Sequence, residues 1–368
     1  MEVESVKPKW NSLLVPSVQE LAKNITEIPD RYVRPDQHNK VVVSESDDLP
    51  EIPVIDMQRL FAEELASSKE ELAKLHHACK QWGFFQLVNH GVGPWLVEKM
   101  KKETQEFFNL AMSEKNKFWQ RDGDVEGFGQ AFVVSDDQKL DWADLFFITT
   151  LPIHLRKPHL FPHLPLHFRE TLELYSVEMK NLAMAIMEQM EKALEMESME
   201  IRELFEEGMQ SMRMNYYPPC PLPHKVIGLT PHSDAVGLTM LLQLNEVEGL
   251  QIRKDGMWVP VRPLPNAFIL NIGDILEIIT NGTYRSVEHR ATVNSEKERL
   301  SIATFYNPRY DAEIGPSPSL VTEHTPPKFK RIGVDEYFKG LFSRELQGKS
   351  YLDAMRIQQC NENEEKTE

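Results

Sequence analysis

From Met212 to Phe305 the chain is a succession of short β-prone runs separated by turn residues, and this spacing constrains the fold more than any other feature. Leu250-Gln251-Ile252-Arg253 and Trp258-Val259-Pro260-Val261 flank Asp255-Gly256, a dipeptide suited to the positive φ angles of a tight hairpin turn. Ala267 to Ile272, Ile275 to Ile279, Arg285 to Val293 and Arg299 to Phe305 continue the series as further expected strands. Evenly spaced strands of this kind predict a jelly roll or sandwich, a mostly β core.

The rest of the chain is built differently. Val15 to Ala22 reads as a short capped helix, followed by a polar stretch expected to be mobile through Asp48. Pro50 to Asp56 is a short strand between turn residues. Glu63 to Trp82 has helical spacing, with Leu65, Leu72, Leu75 and Cys79 as its expected buried stripe, until Gly83 stops it ahead of a strand at Phe84 to Val88. Two long helical stretches follow, Pro94 to Leu110 and Leu164 to Gly208, and the methionines of the second are expected to pack a core. A helical tail begins at Gly333, and Asn361 to Glu368 is acidic and expected to be disordered. The resulting segments are 1–49, 50–163, 164–209, 210–310 and 311–368: a β core with flanking helices and an α/β region before it.

With 368 residues the chain can hold two domains or one enlarged core. Its net charge of −16 and its lack of a clustered basic face disfavour nucleic acid or an anionic membrane as partner. Cys79, Cys220 and Cys360 are far apart and odd in number, which suits a reducing compartment and argues against a disulfide framework or a thiolate metal site. No basic region followed by an apolar stretch opens the chain, so the expectation is a soluble, cytoplasmic protein acting as a monomer on a small molecule.

Two histidines and a carboxylate stand out in the β region. His232-Ser233-Asp234 is the one His-x-Asp in the chain, and residues two apart in an extended strand share a face. Val287, His289, Ala291 and Val293 likewise fall on one face, so His289 is expected to point inward. Two imidazoles and one carboxylate form a facial triad that can hold Fe(II) and leave coordination positions open. On the next strand Arg299, Ser301, Ala303 and Phe305 share a face. A guanidinium there needs a partner to offset its desolvation, and a dicarboxylate cosubstrate would supply one through a bidentate contact assisted by Ser301. Arg213, Asn215 and Tyr217 share a face of the strand that runs into Pro218-Pro219. Taken singly, each residue has a plain structural reading. Their conjunction points to a metal site with a carboxylate-binding site beside it, all five principal residues projecting from neighbouring strands of one core.

These residues resemble a known family. Arg213-Met214-Asn215-Tyr216-Tyr217-Pro218-Pro219-Cys220-Pro221, the set His232, Asp234 and His289, and Arg299-Leu300-Ser301 are similar to the plant 2-oxoglutarate and Fe(II)-dependent dioxygenases. Gly83 to Gly91 resembles the signature of that family's N-terminal region. The runs Pro16 to Ala22, Asp122 to Gln130 and Leu140 to Asp144 look most like the group containing the senescence-related proteins and the opiate-alkaloid O-demethylases. The resemblance implies a double-stranded β-helix over 210–310, with 50–163 as the N-terminal dioxygenase region. It implies Fe(II) held by His232, Asp234 and His289, and 2-oxoglutarate held by Arg299 and Ser301 with Tyr217 and Asn215 at its metal-side end. O2 is the co-substrate it implies, with ascorbate a candidate accessory reductant, and Phe147, Arg213 and Phe305 are the residues that would line a substrate pocket. The expected activity is hydroxylation or O-demethylation of a small specialised metabolite such as an alkaloid, flavonoid or terpenoid. Desaturation, an oxidase on the same fold that dispenses with 2-oxoglutarate, and a silent metabolite-binding protein stay open at this point.

Overall fold

The computed structural model describes residues 13–357 apart from 26, 35–49, 122–123, 131–132, 134, 198 and 343–347. Residues 35–48 of the stretch expected to be mobile, Cys360 and the acidic tail therefore lie outside the described residues, whereas the earlier part of that stretch packs into the core through the buried Ile28 and Tyr32. Twelve strands build two sheets: β1 Val54–Asp56, β2 Phe84–Val88, β3 Gly127–Gly129, β4 Asp144–Leu151, β5 Met209–Tyr217, β6 Leu229–His232, β7 Leu238–Gln243, β8 Leu250–Lys254, β9 Met257–Pro260, β10 Phe268–Ile272, β11 His289–Ala291 and β12 Arg299–Asn307. The major sheet runs in the order β1-β2-β10-β7-β12-β5-β4-β3 and the minor sheet in the order β6-β11-β8-β9. All pairs are antiparallel except β1 with β2, the arrangement of a double-stranded β-helix. The sheets face each other across a cluster in which Leu250, Ile252 and Val259 of the minor sheet join Phe84 and Ile269 of the major one.

Side-chain alternation gives the major sheet two unlike faces. Met212, Met214, Leu300, Ile302 and Tyr306 join the large core under the helices Pro94–Asn109 and Leu166–Ala193. Met179, Met187 and Met190 of the second helix are fully buried there, so these methionines are core packing. The other face of β5 and β12 turns toward the minor sheet. The hairpin between β8 and β9 carries positive φ at Asp255 (48°) and Gly256 (81°), as a type I′ turn requires.

Several expected elements differ from those observed. Ile275 to Ile279 is helix, within Asp274–Ile279, because a wholly buried apolar run reads alike as strand or helix. Here the amides of Asp274 and Ile275 donate back to the carbonyls of Asp234 and Val236, at 2.8 and 3.0 Å, and so turn the chain. Leu164 to Gly208 divides into Leu166–Ala193 and Glu200–Phe205. The chain turns through Met199 in left-handed conformation, and the Glu191 carboxylate accepts from the amides of Ile201 and Arg202, fixing the start of the second helix. Only His289–Ala291 of the run Arg285 to Val293 enters a ladder. In the helix Leu65–His77 and the π-helical turn that continues it, Leu75 and Cys79 are buried, but Leu65 is 65% exposed because the first turn extends past the packed face. The strands β3, β4 and β7 were not anticipated.

Long-range polar contacts hold the ends of the chain. The helix Val18–Ala22 is capped by Ser17, and its start is gripped by the buried Asp144 of β4, which accepts from Ser17 Oγ (2.5 Å), Val18 N (2.8 Å) and Gln19 N (3.0 Å). At the other end Lys349 and Arg356 pair with the buried Glu277, at 2.8 and 2.9 Å. No helix among the described residues is long and apolar enough to cross a membrane.

Gly83, at φ 63°, ends the π-helical turn and launches β2, and a Cβ there would collide with the carbonyl oxygen of Arg285. Gly83→Ala is expected to cost about 2–4 kcal/mol, from left-handed strain plus overpacking. The measurement is the denaturant midpoint at unchanged m-value. A wild-type midpoint would mean that the turn accommodates a side chain.

Candidate active site

The ladder between β6 and β11 sets His232 opposite His289, with ring centroids 4.4 Å apart. Each ring directs Nδ1 to a nearby backbone carbonyl, His232 to Thr230 at 2.8 Å and His289 to Val287 at 3.3 Å. Both Nε2 atoms are thereby left facing Asp234, whose Oδ1 lies 3.3 Å from that of His232 and 3.6 Å from that of His289. One donor atom from each residue lies within 4.8 Å of the others, close enough for a single metal ion. Two nitrogens and one carboxylate oxygen converging from one side suit a divalent ion of the iron type and leave its far side open.

Asp234 is not on the strand with His232, as the extended-strand expectation had it. β6 ends at His232, and Asp234 follows in the loop that the start of Asp274–Ile279 pins in place. Nor do all five principal residues come from neighbouring strands: the two histidines sit on the minor sheet, while Arg299 and Ser301 sit on β12 of the major one. The site lies between facing sheets because no single sheet presents both sets.

Burial and the neighbouring groups together set the protonation states of His289 and Asp234. Burial pushes the His289 imidazole down to about 4, Asp234 opposing and His232 assisting, so that the ring is neutral and free to ligate at neutral pH. Burial also acts to raise Asp234, but the adjacent imidazoles of His289 and His232 and the hydroxyl of Thr239 outweigh it and hold the carboxyl well below its usual range. The second oxygen of Asp234 accepts from Thr239 Oγ1 at 2.6 Å and Asn271 Nδ2 at 2.8 Å.

An inner cavity opens on one side of the triad, lined by Asn215, Tyr217, Arg299 and Ser301 among others. Arg299 is 2% exposed and stacks over the Tyr217 ring, 5.3 Å from its centroid. Its Nη2 donates to Gln243 Oε1 at 3.1 Å; Gln243 is oriented by giving its own amide hydrogens to the carbonyls of Asn245 and Val247. Gly249 makes room for the arginine, since a Cβ there would sit 2.8 Å from Arg299 Cδ. Among the described residues no carboxylate pairs with Arg299, and its Nε and the Oδ1 of Asn215 are buried without partners. A buried guanidinium with free donors fits a ligand carboxylate.

On the other side lies an open cleft of about 750 Å³ whose wall is mostly apolar. Phe147 and Phe305 face each other there with centroids 6.4 Å apart, and Arg213 brings in a buried Nε without a partner. The two cavities meet at His232, Asp234, Arg213 and Phe305. Sequence reasoning missed Gln243, Thr239 and Asn271, which touch the named residues, and Phe338, Leu341 and Phe342, which line the cleft from the helix Val334–Phe342. The apolar spacing of the tail signals a helix but not the wall to which it returns.

Residues 208–308 match the family model described as the 2OG-Fe(II) oxygenase superfamily, and residues 52–164 match the N-terminal model of non-haem dioxygenases in morphine synthesis. Protein SRG1 of Arabidopsis thaliana is 62% identical over 95% of this chain and 98% of its own length. Codeine O-demethylase of Papaver somniferum is 58% identical over 97% of this chain and 100% of its own. Oxoglutarate-dependent flavonoid 7-O-demethylase 1 of Ocimum basilicum is 60% identical over 94% of this chain and 92% of its own. Among solved structures, that of JOX2 in complex with 2OG, Fe and JA superposes with a TM-score of 0.84 at 37% identity, covering 94% of this chain and 98% of that one. A triad with the cavity of a buried arginine on one side and an apolar cleft on the other thus sits in a chain that belongs to the 2OG-Fe(II) oxygenase superfamily and uses Fe(II), 2-oxoglutarate and O2.

Proposed function

We propose that this enzyme oxidises a small, planar plant metabolite, a methoxylated flavonoid or alkaloid, and that O-demethylation is its reaction. In this reading His232, Asp234 and His289 hold Fe(II). Arg299 and Ser301 bind the far carboxylate of 2-oxoglutarate, Asn215 and Tyr217 contact its metal-side end, and Phe147, Arg213 and Phe305 line the substrate site. The observation that carries it is the meeting of two unlike cavities at His232 and Asp234, one holding a buried arginine whose Nε has no partner and the other walled by aromatic rings. The choice of substrate class rests on relatives 58–60% identical that are named as O-demethylases of codeine and of flavonoids.

When bound, Fe(II) and 2-oxoglutarate supply the oxidising chemistry, in which a methyl ether, 2-oxoglutarate and O2 yield the free hydroxyl, formaldehyde, succinate and CO2. The protein's part is placement. Arg299 offers a charge-assisted contact in a site where its desolvation is already in place, and Ser301 adds a hydroxyl. Phe147, Phe305 and the helix Val334–Phe342 keep water from the substrate side, and Arg213 offers a donor to an oxygen of the substrate. The unpaired nitrogen of Arg299 favours this reading over an oxidase that dispenses with 2-oxoglutarate. The buried free thiols of Cys79 and Cys220 suit the cytoplasm.

The deciding experiment incubates Fe(II)-loaded protein with methoxylated flavonoids and with codeine. Loss of CH2 from the substrate, with formaldehyde and succinate formed in equal amounts, is the expected result. Gain of one oxygen would make it a hydroxylase instead, and no turnover of either class would overturn the proposed substrate. Asp234→Ala is expected to bring turnover below about 1% of wild type by removing a metal ligand, and the assignment is falsified if activity survives. Arg299→Gln is expected to raise the Kd for 2-oxoglutarate by about tenfold to a hundredfold, the worth of a hydrogen bond to a charged group, with Fe(II) affinity unchanged. Equal 2-oxoglutarate affinity would remove Arg299 from the cosubstrate site.

A further inference from the structure

The two oxygens of Asp234 meet different surroundings. Oδ1 faces the Nε2 atoms of both histidines, at 3.3 and 3.6 Å. Oδ2 faces away from them, toward the hydroxyl of Thr239 at 2.6 Å and the amide nitrogen of Asn271 at 2.8 Å. Those two donors are a cross-strand pair: Thr239 on β7 stands opposite Asn271 on β10, and each is 3% exposed. The pair belongs to the major sheet, whereas Asp234 leaves the minor sheet in the loop after β6, so the contacts reach across the sandwich. The Asp234 backbone is held separately, its carbonyl accepting from the amide of Asp274 at 2.8 Å.

We propose that Thr239 and Asn271 are positioning residues that keep Asp234 a one-oxygen ligand, so that the open side of the metal stays available to 2-oxoglutarate. This rests on the ligand roles assigned above. A carboxylate can bind a metal through one oxygen or two, and which it does depends on what else its second oxygen is offered. Here that oxygen is offered two short hydrogen bonds by donors that are themselves almost wholly buried. Turning it to the metal would leave both buried donors without an acceptor, a loss with no solvent to compensate it. If both oxygens were ligands, one more position would be filled by protein and the keto acid would compete for what remained. The rigidity of the donors matters as much as their number: both come from paired strands inside a sheet, and neither can follow Asp234 if it turns.

The test uses the full-length protein with Co(II), whose ligand-field spectrum reports coordination, and then with 2-oxoglutarate added to the metal-saturated protein. Thr239→Val with Asn271→Leu should still take up one Co(II) per chain at saturation. Its spectrum should differ from wild type, and its affinity for 2-oxoglutarate should be lower by about tenfold or more. Thr239→Ser, which keeps the hydroxyl, should match wild type in both. Should Asn271→Leu not fold, as judged by thermal unfolding, the nearly isosteric Thr239→Val carries the test by itself with the same expected direction. A folded variant with the wild-type spectrum and 2-oxoglutarate affinity within about twofold of wild type would overturn the proposal. Wild-type protein that takes up no Co(II), or takes it up equally well after Asp234→Ala, would instead overturn the ligand assignment on which it rests.

Discussion

β12 lies between β5 and β7, and a slip of one residue in either ladder would turn Arg299 and Ser301 into the helix-covered core and bring Leu300 and Ile302 into the cavity. Register is therefore what the site depends on first. It is held by the apolar face, where Met212, Met214, Leu300 and Ile302 pack under the long helices. The polar face could not hold it, since Arg299 and Asn215 keep buried polar atoms without partners. The stability of one face maintains the unsatisfied chemistry of the other.

The same division of labour appears at the metal ligands. His232 and His289 are fixed by strand pairing and by their own backbone carbonyls, whereas Asp234 sits in a loop and is fixed by others: its backbone by the start of Asp274–Ile279, its second oxygen by Thr239 and Asn271. That short helix also carries Glu277, to which Lys349 and Arg356 anchor the C-terminal segment, while Gly348 bridges to the backbone at His232. The helix that lines the apolar cleft with Phe338 and Leu341 thus neighbours a segment tied to the elements that position the triad. Breaking a buried, doubly paired carboxylate such as Glu277 would disturb both together.

Much of this was legible in one dimension. Period-two alternation in Arg213 to Tyr217, Val287 to Val293 and Arg299 to Phe305 placed polar residues on faces that otherwise carry apolar ones, and Asp255-Gly256 marked its hairpin. Local pattern failed where two states share it: Ile275 to Ile279 reads as strand or helix alike, and Leu65 has the spacing of a buried stripe although its turn has nothing to pack on. The central strand β7 went unseen because Leu241 interrupts the alternation of Leu238, Met240 and Leu242 with Thr239 and Gln243, leaving only a short apolar run.

The sequence by itself determined the chemistry: two imidazoles, a carboxylate, an arginine and a serine, each in a segment whose local period predicts an inward face. Only the tertiary structure decided how they meet. It set the histidines on one sheet and the arginine on the other, carried Asp234 off its strand, chose Thr239, Asn271 and Gln243 as partners, and returned the helix Val334–Phe342 to wall the cleft. The physical reason is range. Side-chain direction along a strand follows from neighbouring residues in the chain, whereas a hydrogen bond between residues dozens of positions apart exists only after the sheets have packed and water has been excluded from between them.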